Sequence, residues 1–549
     1  MNSEEKIMKR KQLLAILLML CMLLTACGET AQEQKPTGAD LVTPQGTQTQ
    51  PEDNGGDASR LVIAIPDEMV GLDVQQISWE NMVHDLIFEP LVVYSADLSE
   101  IYPSFAESFT ATGAYLEFVL PEGAKFSNGD PLDAQAVKAS TDRFLAISEY
   151  AGDLEPVKSV VVIDERTVRY NLHAPAPYIW ANIASLYGGI VDTAVAEKIG
   201  DWEFNRKPVG NGMYYVEDWE LGDHITLKRN EYFHTANPML KNHDAPPFET
   251  IEVRFIPDAE ERVAALEAGE VDLIYNTPVD RMPELEASGK YSLYSYLQPG
   301  ISYLNLQTGK GILSNKNVRE ALTYAVDRDA INAALGGHVT PTYGFLSAAQ
   351  AGYSAKEEAK LASEYKYDPE RAKALLESQG WVDGDGDGVR DRGGARLKLE
   401  LLIPSDNSSL RAAGPVLQEQ FAAVGVETEL VEYEADYIKE LMREDEYEIG
   451  SRALKWVDAD ILIYAFGGES GYPWEDPALT KLILAARYKN DPAERIEAYE
   501  EVSEQLAQDF KAISLFADNY IITMRSDIEG VVITNDGRVW FSDTVVKNG

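Results

Sequence analysis

Alternation of apolar and polar side chains with period two marks strands at "RLVIAI" (Arg60–Ile65), "YLEFVL" (residues 115–120) and "VVVIDERTVRYNL" (160–172), the last a hairpin turning near Asp164 and Glu165. Helical spacing takes over in "NMVHDLIFEPL" (81–91) and in "ERVAALEAG" (261–269), which Gly269 closes. "ISYLNLQT" (301–308) is again a strand, and a second lobe begins about here. "NKNVREALTYAVDRDAINAALGG" (315–337) places Val318, Leu322, Val326 and Ala330 on one face of one or two helices. Further on, "DPERAKALLESQGW" (368–381) carries a stripe through Ala372, Leu375 and Leu376. "RLKLELLI" (396–403) is a strand through Leu397, Leu399 and Leu401. A helix over about 410–424 and the strand "VETELVEY" (426–433) complete a β-α-β unit, whose two strands are expected parallel with a right-handed crossover. The helix "DPAERIEAYEEVSEQLAQ" (491–508) precedes the strand-like "YIITM" (520–524) and "GVVITNDGRVWFSD" (530–543). Strands and helices are mixed throughout, with no repeat at a fixed period, so the fold class is α/β.

The first 59 residues fall outside that pattern. Lys9, Arg10 and Lys11 precede the apolar run "LLAILLMLCMLLTA" (13–26), which is shorter than a membrane span and predicts a signal peptide over residues 1–26. Residues 28–59 are rich in Thr, Gln, Gly, Glu and Pro and bury no core, so 27–59 is expected to be a flexible tether. Of the two cysteines, Cys21 leaves with the signal, so the mature chain has no disulfide. The formal net charge is -43. Losing the first 26 residues removes four basic and two acidic side chains and leaves -45, which argues against nucleic-acid binding.

The sequence offers enzyme chemistry little. Its six histidines, His84, His173, His224, His234, His243 and His338, contain no helical metal pair, and no G-x-S-x-G elbow occurs. "VGNGMYY" (209–215) lacks the third glycine and the strand-to-helix setting of a dinucleotide loop. "DGDGDGVRDRGG" (383–394) matches the first half of a calcium loop with Asp383, Asp385, Asp387 and Gly388. Its twelfth position is Gly394 instead of a bidentate Glu, and it joins a helix to a strand. The expectation is a solvated turn, with Asp383, Asp385, Asp387 and Asp391 a weak cation candidate; no metal site and no cofactor are assigned.

Seven segments then occur in a telling order: "FEPLVVY", "FSNGDPLDAQAVKAS", "KPVGNGMYYVEDWELGDHITLKRNEYF", "PDAEERVAALEAGEVDLI", "NVREALTYAVDRDAI", "YDPERAKALLESQGWVDGDGDGVRDRGG" and "IYAFGG". Together they resemble the family 5 extracellular solute-binding proteins, receptors of bacterial ABC importers for peptides, nickel and related solutes. The resemblance implies a two-lobed periplasmic-binding-protein-like fold. Its first lobe would span 60–298 with an inserted subdomain at about 97–207, its second lobe 299–515, and a chain return at 516–549 would complete the first lobe. "LTAC" (24–27) resembles a bacterial lipobox, which implies that Cys27 carries lipid and holds a monomer at the extracytoplasmic face of the cell membrane, where it serves the permease subunits.

In peptide-binding relatives an Asp of the second lobe holds the ligand's amine, with an Arg six residues earlier to meet a carboxylate. "RALKWVDAD" (452–460) gives Arg452 and Asp458 at that spacing. Trp456 falls one residue later than the family's usual Trp, and Asp460 competes with Asp458 for the role. Tyr303 and Asn305 are expected to line the second lobe's side of the cleft. The ligand expected is an oligopeptide. An oligosaccharide or chelated metal, with Trp79, Trp180, Trp456 and Trp474 as stacking platforms, and a sensor or adhesin without transport stay open.

Overall fold

The computed structural model describes residues 59–547 except 78–80, 97, 99, 406 and 469–475. The signal segment, Cys27, nearly all of the tether, Trp79 and Trp474 therefore lie outside the described residues. We number the strands of the main sheet in chain order: β1 Arg60–Ile65, β2 Tyr214–Glu220, β3 His224–Arg229, β4 Thr250–Phe255, β5 Leu273–Tyr275 and β6 Tyr291–Leu297. β7 Gly300–Leu306, β8 Val339–Pro341, β9 Lys398–Pro404, β10 Glu427–Tyr433, β11 Ile449–Lys455 and β12 Ala512–Arg525 follow. They pair in the order β10-β9-β11-β7-β12-β5-β1-β4-β3-β2, with β6 and β8 also on β12. β1 lies parallel between β4 and β5, and five of its six residues are buried. A strand covered on both faces takes such a continuous apolar run.

The sheet divides into two lobes along β12. The first part of this strand pairs with β7 and the last part with β5 and β6. The chain crosses a second time at Gln298 and Pro299, between β6 and β7, where Gln298 N–H donates to the Asp518 carbonyl at 2.9 Å. Gly300 follows this crossing because a Cβ there would sit 1.9 Å from the Leu454 carbonyl oxygen. Each lobe has a separate apolar core, around Phe88, Phe118 and Trp540 in the first and around Tyr303, Phe421 and Phe466 in the second.

Within the first lobe, an antiparallel sheet of Ser108–Ala111, Tyr115–Val119, Thr167–Leu172 and Val157–Val162 packs with the helix Ala134–Ile147. Its hairpin turns where Asp164 accepts from Arg166 N–H at 2.9 Å. In the second lobe β9 and β10 are parallel, joined by the helix Ser408–Ala423, which is the expected β-α-β unit.

Several elements differ from the pattern. The helix expected over 81–91 is only Met82–Ile87: the chain is already extended at Phe88, and Pro90 disfavours helix at Glu89 just beyond it. The 315–337 stretch is two helices, Lys316–Ala325 and Arg328–Ala334, the second capped by the Asp327 side chain on Ala330 N–H. "YIITM" is the end of the 14-residue β12. The tail beyond Gly530 forms two-residue strands only.

In the Asp-rich turn, Asp383 accepts from the N–H groups of Gly386 (2.7 Å) and Gly388 (3.1 Å), and Asp387 accepts from Val389 N–H and Arg396. Gly386 and Gly388 have φ of 79° and 90°, conformations that glycine adopts freely. The exposed carboxylates of Asp383, Asp385 and Asp387 lie within 4.8 Å of one another, and Asp391 is not one of this group. Both oxygens of Asp383, one of Asp385 and one of Asp387 accept from backbone N–H groups of the turn. Among the described residues no helix is long and apolar enough to cross a membrane.

Candidate functional site

β11 ends at Lys455 and the chain runs on through Trp456–Val457–Asp458–Ala459–Asp460 into the short helix Ile461–Phe466. This segment is held by backbone bonds: Trp456 N–H to Pro299 O (2.9 Å), Ala351 N–H to Val457 O (2.8 Å) and Ala459 N–H to Ala351 O (2.9 Å). Gln350 Nε2 adds a bond to Trp456 O at 2.8 Å. Asp458 closes the turn by accepting from Asp460 N–H at 2.7 Å. The segment therefore stands rigidly at the mouth of the second lobe, next to the Gln298–Pro299 crossing.

Two helices downstream bring cations to it. Arg495, on the helix Pro492–Asp509, makes a bidentate pair with Asp458, Nη1 to Oδ2 at 2.8 Å and Nη2 to Oδ1 at 2.5 Å. Arg487, at the end of Pro477–Arg487, sets Nε 2.8 Å from Asp460 Oδ1. All four side chains are at most 9% exposed. Burial works against the Arg495 charge, yet the Asp458 carboxylate outweighs it and the guanidinium pKa lies above its ordinary value.

The first lobe closes over this cluster. The Arg487 guanidinium lies over the Tyr178 ring at 4.0 Å, and Tyr488 meets the same ring edge-on at 5.8 Å. Trp456 meets Tyr187 at 6.0 Å, and both Trp456 and Val457 pack on the first lobe's core. Tyr464 OH reaches Asp153 Oδ1 at 3.4 Å. Burial pushes Asp153 up to about 6 against the pull of Asn182, Tyr464 and Arg487. Burial likewise pushes Asp460 up to about 7; Arg487 opposes this and the Asp458 charge adds to it. Tyr94, buried from the first lobe's side, is raised well above its ordinary value by burial and then by Asp458.

The structure thus brings Trp456, Asp458 and Asp460 together at the seam between lobes. Arg452 stands apart from them in the strand register, opposite Tyr303, and the guanidinium that meets Asp458 is that of Arg495. In this closed geometry Tyr303 and Asn305 are fully buried; Tyr303 packs against Phe466 at 5.3 Å in the second lobe's core. Trp180 packs edge-on against Phe109 at 5.6 Å inside the first lobe. Arg487, Arg495, Tyr178 and Asp153 escaped the sequence reading. Arg495 did leave a signal, since it shares the buried stripe of its helix with Tyr499, Val502 and Leu506, where a charge requires a partner.

Comparison with known proteins agrees with this architecture. The profile of the bacterial extracellular solute-binding proteins, family 5 (middle) matches residues 100–474. The oligopeptide-binding protein AppA of Bacillus subtilis is 24% identical over 552 residues, covering 95% of this chain and 96% of its own. A nickel-binding periplasmic protein of Escherichia coli is 27% identical over 382 residues, covering 67% and 70%. Among solved structures, NikA from Brucella suis in complex with Fe(III)-EDTA superposes with a TM-score of 0.78 at 22% identity, over 89% of this chain and all of that one. AppA from Bacillus subtilis in complex with a nonapeptide gives 0.72 at 21% identity, over 89% and 99%. The chain belongs to family 5 of the bacterial extracellular solute-binding proteins, and it binds a solute instead of transforming one.

Proposed function

We propose that the protein is the receptor of an ABC importer that captures an oligopeptide between its lobes, closes by bending at 298–299 and 517–519, and hands the peptide to the permease. The observation that carries this reading is the charge balance at the seam. Among the described residues, three carboxylates, Asp153, Asp458 and Asp460, face two guanidiniums, Arg487 and Arg495. Fully ionised, the set is one negative charge in excess where four of its five members are buried and Asp153 is partly so, and a ligand ammonium restores neutrality where otherwise a proton does. The near full-length similarity to an oligopeptide-binding protein supports a peptide as the source of that ammonium.

The roles within the site follow from which oxygens are taken. Asp458, the anchor expected from sequence, gives both oxygens to Arg495, so it receives an ammonium only if Arg495 yields one. Asp460 and Asp153 share the single guanidinium of Arg487 and are the carboxylates we assign to the amine, with Trp456 and Tyr187 packing the residue beside it. An anionic metal chelate fits an acid-rich seam poorly. Membrane attachment is assigned to Cys27, and Cys27→Ser is expected to move the protein into the soluble fraction.

Calorimetry with a bound peptide and its N-acetylated form tests the assignment. Acetylation is expected to cost about 2 to 5 kcal/mol, the range for leaving a buried charge unpaired. Equal binding of the two forms would remove the amine from the site and favour a neutral ligand.

A further inference from the structure

The first lobe carries an apolar surface that the seam does not use. Trp202 is 75% exposed, Leu221 62%, and Val70 fully so. They belong to three segments that hydrogen bonds tie into one face. The loop after β1 is joined to the helix Asp201–Arg206 by Leu72 N–H to the Asn205 side chain at 3.0 Å and to the Asn205 carbonyl at 2.9 Å. The same loop is joined to the β2–β3 turn by Glu68, which accepts from Trp219 Nε1 at 2.9 Å and Gly222 N–H at 3.0 Å. Arg206 closes the triangle with a bond to Trp219 O at 3.1 Å. An indole left this far in water on a rigid support is unusual for a monomer surface.

Its rim is acidic. Asp67, Asp201, Glu203, Asp218, Glu220 and Asp223 are all exposed around it, while the basic side chains of the same segments, Arg206 and Lys207, turn back onto the carbonyls of Trp219 and Glu217. Such a rim repels an anionic lipid surface and selects a protein surface with Lys or Arg around an apolar pocket. Register places the patch at one end of the sheet. Ile65, Phe255 and Tyr275 mark one edge of the sheet by register, and Phe255 N–H donates to Asp223 O, so the turn carrying Leu221 stands on that edge. Arg60, where the described sheet begins, lies at the opposite edge about 17 Å away, five steps at strand rise.

We propose that Val70, Trp202 and Leu221, with their acidic rim, form a docking surface for the membrane-embedded subunit of the importer, whose facing surface is basic around an apolar pocket. The partner's identity rests on the import reading above. The surface belongs to one lobe alone, so it meets the partner whether the cleft is open or closed.

Replacing Trp202 by a photo-crosslinking benzoylphenylalanine in the full-length protein in host cells tests the contact directly. The expected result is an adduct whose mass spectrum identifies the importer's membrane subunit. An adduct with a second copy of the chain, an adduct with lipid, or no adduct overturns the proposal. In parallel, W202A/L221S is expected to keep its peptide Kd within about twofold while uptake falls roughly tenfold, as for loss of an interface anchor. Unchanged uptake with normal surface levels overturns it as well. A peptide that fails to bind the parent protein would instead count against the import reading, and the crosslink still reports on the docking surface.

Discussion

Two sets of buried arginines behave in opposite ways. Arg262, Arg319 and Arg328 face backbone carbonyls: Arg319 alone donates to Phe510 O (2.9 Å), Leu313 O (2.8 Å) and Asp509 O (2.9 Å). Arg262 likewise binds the carbonyls of Tyr275 and Ile256, and Arg328 those of Thr342 and Ser514. Burial lowers the pKa of all three, Arg328 to about 10. At the seam, by contrast, Arg495 faces a carboxylate and its pKa rises. The first set fastens loops to helices with neutral acceptors; the second sits among more acids than it can neutralise. The difference separates what holds a lobe together from what a ligand can exchange with.

The contrast breaks most visibly at Arg319. Arg319→Met would leave several buried carbonyls without a donor, and the expected loss of stability is about 3 to 5 kcal/mol in chemical denaturation. Peptide affinity of the surviving folded fraction should stay near that of the parent. A variant of parental stability would contradict the fastening role.

Arg495→Met is expected to cost about 3 kcal/mol, the low end for breaking a buried ion pair. Removing both charges in Arg495→Met/Asp458→Leu should recover most of that loss, since a dry pair is often dispensable to stability. A double-mutant cycle reads the coupling. Additive losses from the two single changes would mean that the pair does not act as a unit.

The smallest effect is expected at the Asp-rich turn. The melting temperature in millimolar calcium and in excess chelator should agree within about 1 °C, because Asp383 and Asp387 already serve backbone N–H groups and Arg396. A rise of many degrees, lost in Asp385→Asn, would establish a real cation site there.

How much of this was legible in the sequence depended on range. β1 is read from the sequence as an alternating strand, whereas five of its six residues are buried in an unbroken apolar run. β12 is not read as one strand, because Asp518 and Asn519 interrupt "AISLFADNYIITMR" where the strand passes from one lobe to the other, and only its last residues keep a strand's pattern. At the site, the 452–460 stretch was found through its resemblance to a family pattern. Its cations were not, since Arg495 lies 37 residues beyond Asp458 and reaches it only through helix docking. Asp153 comes from the other lobe altogether, brought to the seam by closure.

The central claim is that the closed seam holds one excess acid, which takes a proton unless the ligand supplies a cation. Asp460 and Asp153 have closed-state pKa values near 7 and 6, above the ordinary carboxylate value. For an acid raised in this way, proton uptake favours the closed form at low pH, and that advantage is lost as pH rises through the closed-state pKa. His84, lowered to about 4 by burial, contributes with the opposite sign, so global melting mixes the two effects. Proton exchange during binding does not mix them. Calorimetry at pH 6.5, in buffers of different ionisation enthalpy, should show proton uptake when the N-acetylated peptide binds, less uptake with the free-amine peptide, and a smaller difference between the two in Asp460→Asn. Equal proton exchange for the two peptides in the parent protein would contradict the account.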